Sequence, residues 1–94
     1  MKKFMLLTCG FAKPTPEVIA AWGTWQESVA DRVVEHGGFY NGGREVSRPG
    51  TKDLPLAADS ITGFCILKAE SLEEAEAIAG RTPFVAGIRL YEIT

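Results

Sequence analysis

Phe4-Met5-Leu6-Leu7-Thr8-Cys9 carries apolar or weakly polar side chains on both parities of a two-residue repeat. Successive side chains of a strand point to opposite faces, so this stretch reads as a strand covered on both sides, at the centre of a sheet. A second stretch has the same character. Ile61 to Ala69 runs through Gly63-Phe64-Cys65-Ile66-Leu67, again apolar on both parities, and reads as a second central strand.

The chain between them breaks at Gly10 to Pro14 and restarts at Thr15-Pro16-Glu17, which has the form of a helix N-terminus: a hydroxyl N-cap, proline at the first helical position and an acid in the first turn. Val18, Trp22, Trp25, Val29 and Val33 follow at helical spacing and predict a helix over residues 16–36. His36 then falls in its last turn, where a cationic imidazole suits the helix dipole, and Gly37-Gly38 supplies the stop. Phe39 to Val46 reads as a weaker strand, interrupted by Asn41-Gly42-Gly43 and therefore placed at the sheet edge. Ser47 to Asp59, with Pro49, Gly50 and Pro55, reads as a long loop. Ser71-Leu72-Glu73-Glu74 is a capping box opening a short helix, with Leu72, Ala75, Ile78 and Ala79 on one face and Gly80 at its end. Gly87 to Ile93 reads as the closing strand.

Strand, helix, strand, strand, helix, strand is the order of an α+β, ferredoxin-like βαββαβ domain: a four-stranded antiparallel sheet with two helices on one face and the first and third strands central. Two helices cover one face only, yet the opposite parities of both central strands are apolar as well. A second copy stacked sheet to sheet is the economical cover, which predicts a homodimer. The pattern leaves open which parity faces the helices.

At 94 residues, 46% apolar and 23% charged, the chain suits a single folded domain over residues 1–94. The net charge is −2 and the lysines and arginines are scattered, so no phosphate-binding stripe forms and nucleic acid is an unexpected partner. The apolar run Phe4 to Leu7 is far too short for a membrane span or a signal-peptide core, so a cytoplasmic protein without a membrane partner is expected. Cys9 and Cys65 lie in apolar stretches and read as buried free thiols. No Cys/His ligand spacing accompanies them, and neither a metal nor a cofactor is expected.

The opening Met-Lys-Lys-Phe-Met-Leu-Leu, the segment Thr62-Gly63-Phe64-Cys65-Ile66-Leu67-Lys68-Ala69-Glu70-Ser71-Leu72-Glu73-Glu74-Ala75 and Thr82-Pro83-Phe84-Val85-Ala86-Gly87 resemble YCII-related proteins. The resemblance covers most of the chain and implies a dimeric α+β barrel. It also points to the site usually proposed in that family, a histidine near the start of the first helix with an aspartate just before the Pro-aromatic turn. Here the helix starts Pro16-Glu17-Val18-Ile19 and Thr82 precedes Pro83, so neither member of that pair is present. A second branch carries Asp-Gly-Pro-Phe before the third strand, where this chain has Leu56-Ala57-Ala58-Asp59-Ser60-Ile61.

The candidate ligand-binding residues are therefore this chain's own. His36 is its one histidine and the natural acid/base group near neutrality, though the plainer reading is a helix terminus. Trp22 and Trp25 lie on the helix stripe, as core or as the aromatic wall of a pocket between helix and sheet. Arg44 and Arg89 fall within strands, where a charge turned into a cleft would suit a carboxylate and one turned outward would be surface. Asp53 and Asp59 read as solvated turn residues. No catalytic constellation emerges. Three function classes stay open: a small-molecule-binding or accessory homodimer, a cofactor-free lyase, isomerase or oxygenase acting on a small compound such as an aromatic one, and a protein-interaction module.

Overall fold

The computed structural model describes residues 1–94 and contains β1 (Lys2–Cys9), α1 (Pro16–Ser28), β2 (Val33–Gly38), β3 (Gly43–Ser47), β4 (Gly50–Leu54), β5 (Ile61–Ala69), α2 (Leu72–Ala79) and β6 (Gly87–Ile93). Four strands form one sheet in the order β2-β5-β1-β6, every pair antiparallel. The two strands recognised as apolar on both parities are its centre. This is an α+β fold consistent with the ferredoxin-like arrangement, to which β3 and β4 add a separate two-stranded sheet.

Register settles which parity faces the helices. Phe4 pairs with Leu67 and Leu6 with Cys65, and all four are buried in one cluster with Trp25, Val29, Ala75, Ile78 and Ala79 from the helical layer. The other parity, Met5, Leu7, Phe64 and Ile66, is only half-buried, and Tyr91 and Ile93 of β6 extend it at 54% and 38% exposure. Phe39 lies on Phe64 with centroids 5.6 Å apart and planes 13° from parallel.

Both helix starts follow the sequence. Thr15 Oγ1 accepts from the Val18 amide at 3.2 Å, and Ser71 Oγ accepts from the Glu74 amide at 3.1 Å. The Glu74 carboxylate also accepts a hydrogen bond from the Glu70 amide and from Arg32 Nη1, which donates in addition to the Lys68 carbonyl. Arg32 thus ties the turn before β2 to both β5 and α2. Its hydrogen bond, with help from the Glu70 amide, holds the Glu74 carboxyl below its ordinary value of 4.5. A depressed carboxyl stabilises the fold above the unfolded value and loses that contribution as pH falls through the folded one. The expected outcome is that Glu74→Gln melts below the parent by a constant margin at neutral pH. That margin should shrink on acidification below about pH 4.5; thermal melts across pH check it, and a margin independent of pH would contradict it.

Between residues 29 and 54 the structure corrects the sequence reading. The helix ends at Ser28, not near residue 36, and the chain turns through Val29 to Arg32, whose amide bonds back to the Val29 carbonyl at 2.8 Å. Val33 keeps the helical spacing only because β2 returns to the same core. Its β-branched neighbour Val34 favours a strand over another helical turn. His36 therefore sits in edge strand β2 and not at a helix end, and Gly37-Gly38 are strand residues. A side chain at Gly37 would strike the Phe64 ring at 2.7 Å, and the Tyr40 ring crowds the same position of Gly38. The edge strand expected at Phe39 to Val46 and the loop expected from Ser47 resolve instead into the β3–β4 hairpin, closed by Ser47 to Gly50. Every residue of both hairpin strands is exposed, Val46 to 80%.

No helix is long and apolar enough to cross a membrane.

Candidate functional site

Along its first turns α1 buries nothing; Trp25 is its one buried residue. Trp25 Nε1 donates to the Ile78 carbonyl of α2 at 3.0 Å, and Trp22 meets Trp25 edge to face with centroids 5.8 Å apart. Both indoles face the space between α1 and the sheet. On the sheet side Thr8 and Gly63 carry little bulk, and Gly38 leaves room for the Tyr40 ring in the lining. The result is a cavity of about 490 Å³ between α1 and the ends of β1, β2 and β5, within the size range of ordinary small-molecule sites.

Trp22, Trp25 and His36 all line it. Arg44 and Arg89 do not. Arg44 lies on the hairpin, 73% exposed and paired with Asp53 at 3.1 Å. Arg89 pairs with Leu7 across β6 and β1, on the face away from the helices. Asp59 is exposed in the turn before β5. None of the 23 lining residues is Asp, Glu, Lys or Arg, so the carboxylate-binding role considered for the arginines has no cation here to perform it.

The cavity's polar groups divide into two sets. The Thr8 and Thr62 hydroxyls bond to one another at 3.3 Å, Thr62 also donates to the Gly10 carbonyl at 3.2 Å, and the Trp25 N–H is taken by Ile78. Gln26, His36 and Tyr40 contribute side chains with no partner in the protein. Cys65 faces the same space, but burial pushes its thiol up to about 11, which keeps it protonated and a poor nucleophile at neutral pH. Both cysteines are free, Cys65 buried and Cys9 only half-buried. No three His, Cys, Asp or Glu side chains gather as a metal site requires.

Gln26, Tyr40 and the small residues Gly38 and Gly63 escaped the sequence reading. A glycine interrupting the apolar run of β5 was the available signal, since a residue without a side chain in a central strand marks either a bulge or space for a ligand.

Among solved structures, the fold is similar to that of a 5-chloro-2-hydroxyhydroquinone dehydrochlorinase, TftG, from Burkholderia phenoliruptrix AC1100 in complex with 2,5-dihydroxybenzoquinone. The TM-score is 0.62 at 16% identity, over 98% of this chain and 93% of that one. No family model and no curated protein matches the sequence. At this identity the likeness is one of fold.

Proposed function

We propose that this chain is a YCII-like, homodimeric protein that binds an uncharged, planar small molecule between α1 and the sheet. The observation that carries the reading is the cavity of about 490 Å³ with two indoles in its wall and no charged residue in its lining. An ion entering such a space gives up water without gaining a counter-charge, whereas a flat neutral ring keeps its contacts with the aromatic walls. The structural neighbour, which holds 2,5-dihydroxybenzoquinone, supports a compact ring as the ligand class. The protonated Cys65 and the absence of the family's His/Asp pair favour binding over covalent chemistry.

Assembly through the helix-free sheet face is supported by area and shape. The chain exposes 6509 Å², where a compact monomer of 10.2 kDa would expose about 5,300 Å². The excess of about 1,200 Å² is shared by the exposed β3–β4 hairpin and the half-buried residues of this face, against roughly 800 Å² that each partner gives to an ordinary interface. The molecule is also a plate, 40 × 36 × 18 Å, the thickness of one sheet and one helical layer.

Calorimetric titration with para-propylanisole and para-propylbenzoate tests the site. The ether should bind and the carboxylate should bind at least about tenfold more weakly, the weight of roughly 1.4 kcal/mol of uncompensated charge. Equal binding of the two, or a carboxylate preference, would sink the reading of an uncharged ligand.

A further inference from the structure

We propose that the cavity selects a phenolic hydroxyl, with the imidazole of His36 accepting its hydrogen bond; this rests on the reading of the cavity as a site for an uncharged ring. The polar inventory narrows the choice. The threonine hydroxyls and the Trp25 N–H are committed to partners within the protein, and no lining residue carries a fixed charge. What remains for a ligand is the imidazole of His36, with Gln26 and Tyr40 as the other side chains free to bond. Neutral imidazole offers one unprotonated nitrogen, and among uncharged ring substituents the phenolic O–H is a strong donor for it, whereas ethers and ketones can only accept.

The second observation is the placement of His36. In β2 the pairing runs Val33 with Leu67, Glu35 with Ile66 and His36 with Cys65, so the register slips by one residue between Val33 and Glu35. Leu67 and Cys65 both face the helices. Without the slip, Glu35 would oppose Cys65 and present a carboxylate on the cavity side, and His36 would oppose Phe64 on the open face. The bulge exchanges them. An extra residue in an edge strand that re-aims one side chain is a recurrent device beside binding sites. Here it keeps a carboxylate out of a space that has no charge and brings in an imidazole whose unprotonated nitrogen can accept a hydrogen bond from a neutral donor. His36 is exposed at the mouth while the indoles lie deeper, which orients a phenol with its ring inward and its hydroxyl toward the entrance.

The experiment compares para-propylphenol with para-propylanisole by calorimetry at neutral pH, in the unmodified protein and in His36→Phe, Gln26→Leu and Tyr40→Phe. The unmodified protein should favour the phenol by roughly 3- to 10-fold, the scale of one net hydrogen bond. His36→Phe should bring the ratio close to one while retaining the ether, and the other two variants should keep the preference. A nitrogen-15 shift of the His36 ring on adding the phenol, absent with the ether, gives an independent readout. Equal binding of phenol and ether by the unmodified protein, or a preference that survives in His36→Phe, would overturn the assignment while leaving the cavity a site for neutral rings. Failure of both compounds to bind would overturn that broader reading as well.

Discussion

Cys65→Asp is expected to unfold the chain, whereas Leu7→Asp is expected to leave it folded and monomeric. The two positions lie on adjacent strands but on opposite faces of the sheet. Cys65 is 5% exposed in the cluster beneath the helices, where no lysine or arginine is at hand to pair with a carboxylate and its cross-strand partner His36 lies exposed. An unpaired buried charge costs several kcal/mol, much of the total of about 5–15 kcal/mol that holds a small domain together. Leu7 belongs to the half-buried parity of the helix-free face, where water still reaches an introduced carboxylate in the monomer. In a sheet-to-sheet dimer the same charge is sealed between copies, and a loss of at least about 2 kcal/mol, or roughly 30-fold in dimer dissociation, is expected of a residue central to an interface. Circular dichroism melts read the first effect and sedimentation velocity the second. Unmodified protein that sediments as a folded monomer at low micromolar concentration would rule out the homodimer. A folded, cooperative Cys65→Asp would show that the faces have been assigned the wrong way round.

Trp25→Ala should cost about 3–5 kcal/mol, the usual loss for a large buried aromatic. The indole does three things at once: it fills the core under α1, satisfies the Ile78 carbonyl, and gives Trp22 its edge-to-face partner. Trp25→Phe separates them, keeping most of the volume and losing the hydrogen bond, at about 1 kcal/mol. Urea denaturation with an unchanged slope would show these as stability losses in the native fold. A Trp25→Ala cost below about 1 kcal/mol, well short of that range for a buried aromatic, would mean that something other than this side chain holds α1 in place.

The parts of the fold legible in the sequence are those specified locally or by burial on both faces. β1 and β5 announced themselves by two apolar parities, and α2 by a capping box of which the Ser71 hydroxyl bonds the Glu74 amide, while the Glu74 carboxylate takes the Glu70 amide one residue earlier. The region from Val29 to Leu54 departs from its sequence pattern because its signals are degenerate. Val29 and Val33 at a spacing of four serve a helix, and serve equally a tight turn that brings the chain back to the same core. Gly37-Gly38 resembles a helix stop, yet its purpose is to make room for the rings of Phe64 and Tyr40, residues it meets only through the fold. The site was partly visible for the same reason. Trp22, Trp25 and His36 carry recognisable chemistry, whereas the space they surround comes from small residues on neighbouring strands, and the orientation of His36 from a one-residue slip against β5. Neither can be seen along a single strand.

The central place of β1 also sets the order of events while the chain is being made. Its two hydrogen-bonding neighbours are β5 and β6, which begin at Ile61 and Gly87. A ribosome adding about 5–20 residues per second leaves roughly 3–12 s between the synthesis of Lys2 and that of Ile61, and β6 comes later still. During that interval Phe4 to Cys9 is an apolar segment with no strand to pair with. The β3–β4 hairpin and α1, whose contacts are local, can form as they emerge, but the sheet must wait for the last third of the sequence. Nascent-chain chaperones that shield short apolar stretches would find their target in the first ten residues, and the protein's yield in a cell should depend on how well that interval is guarded.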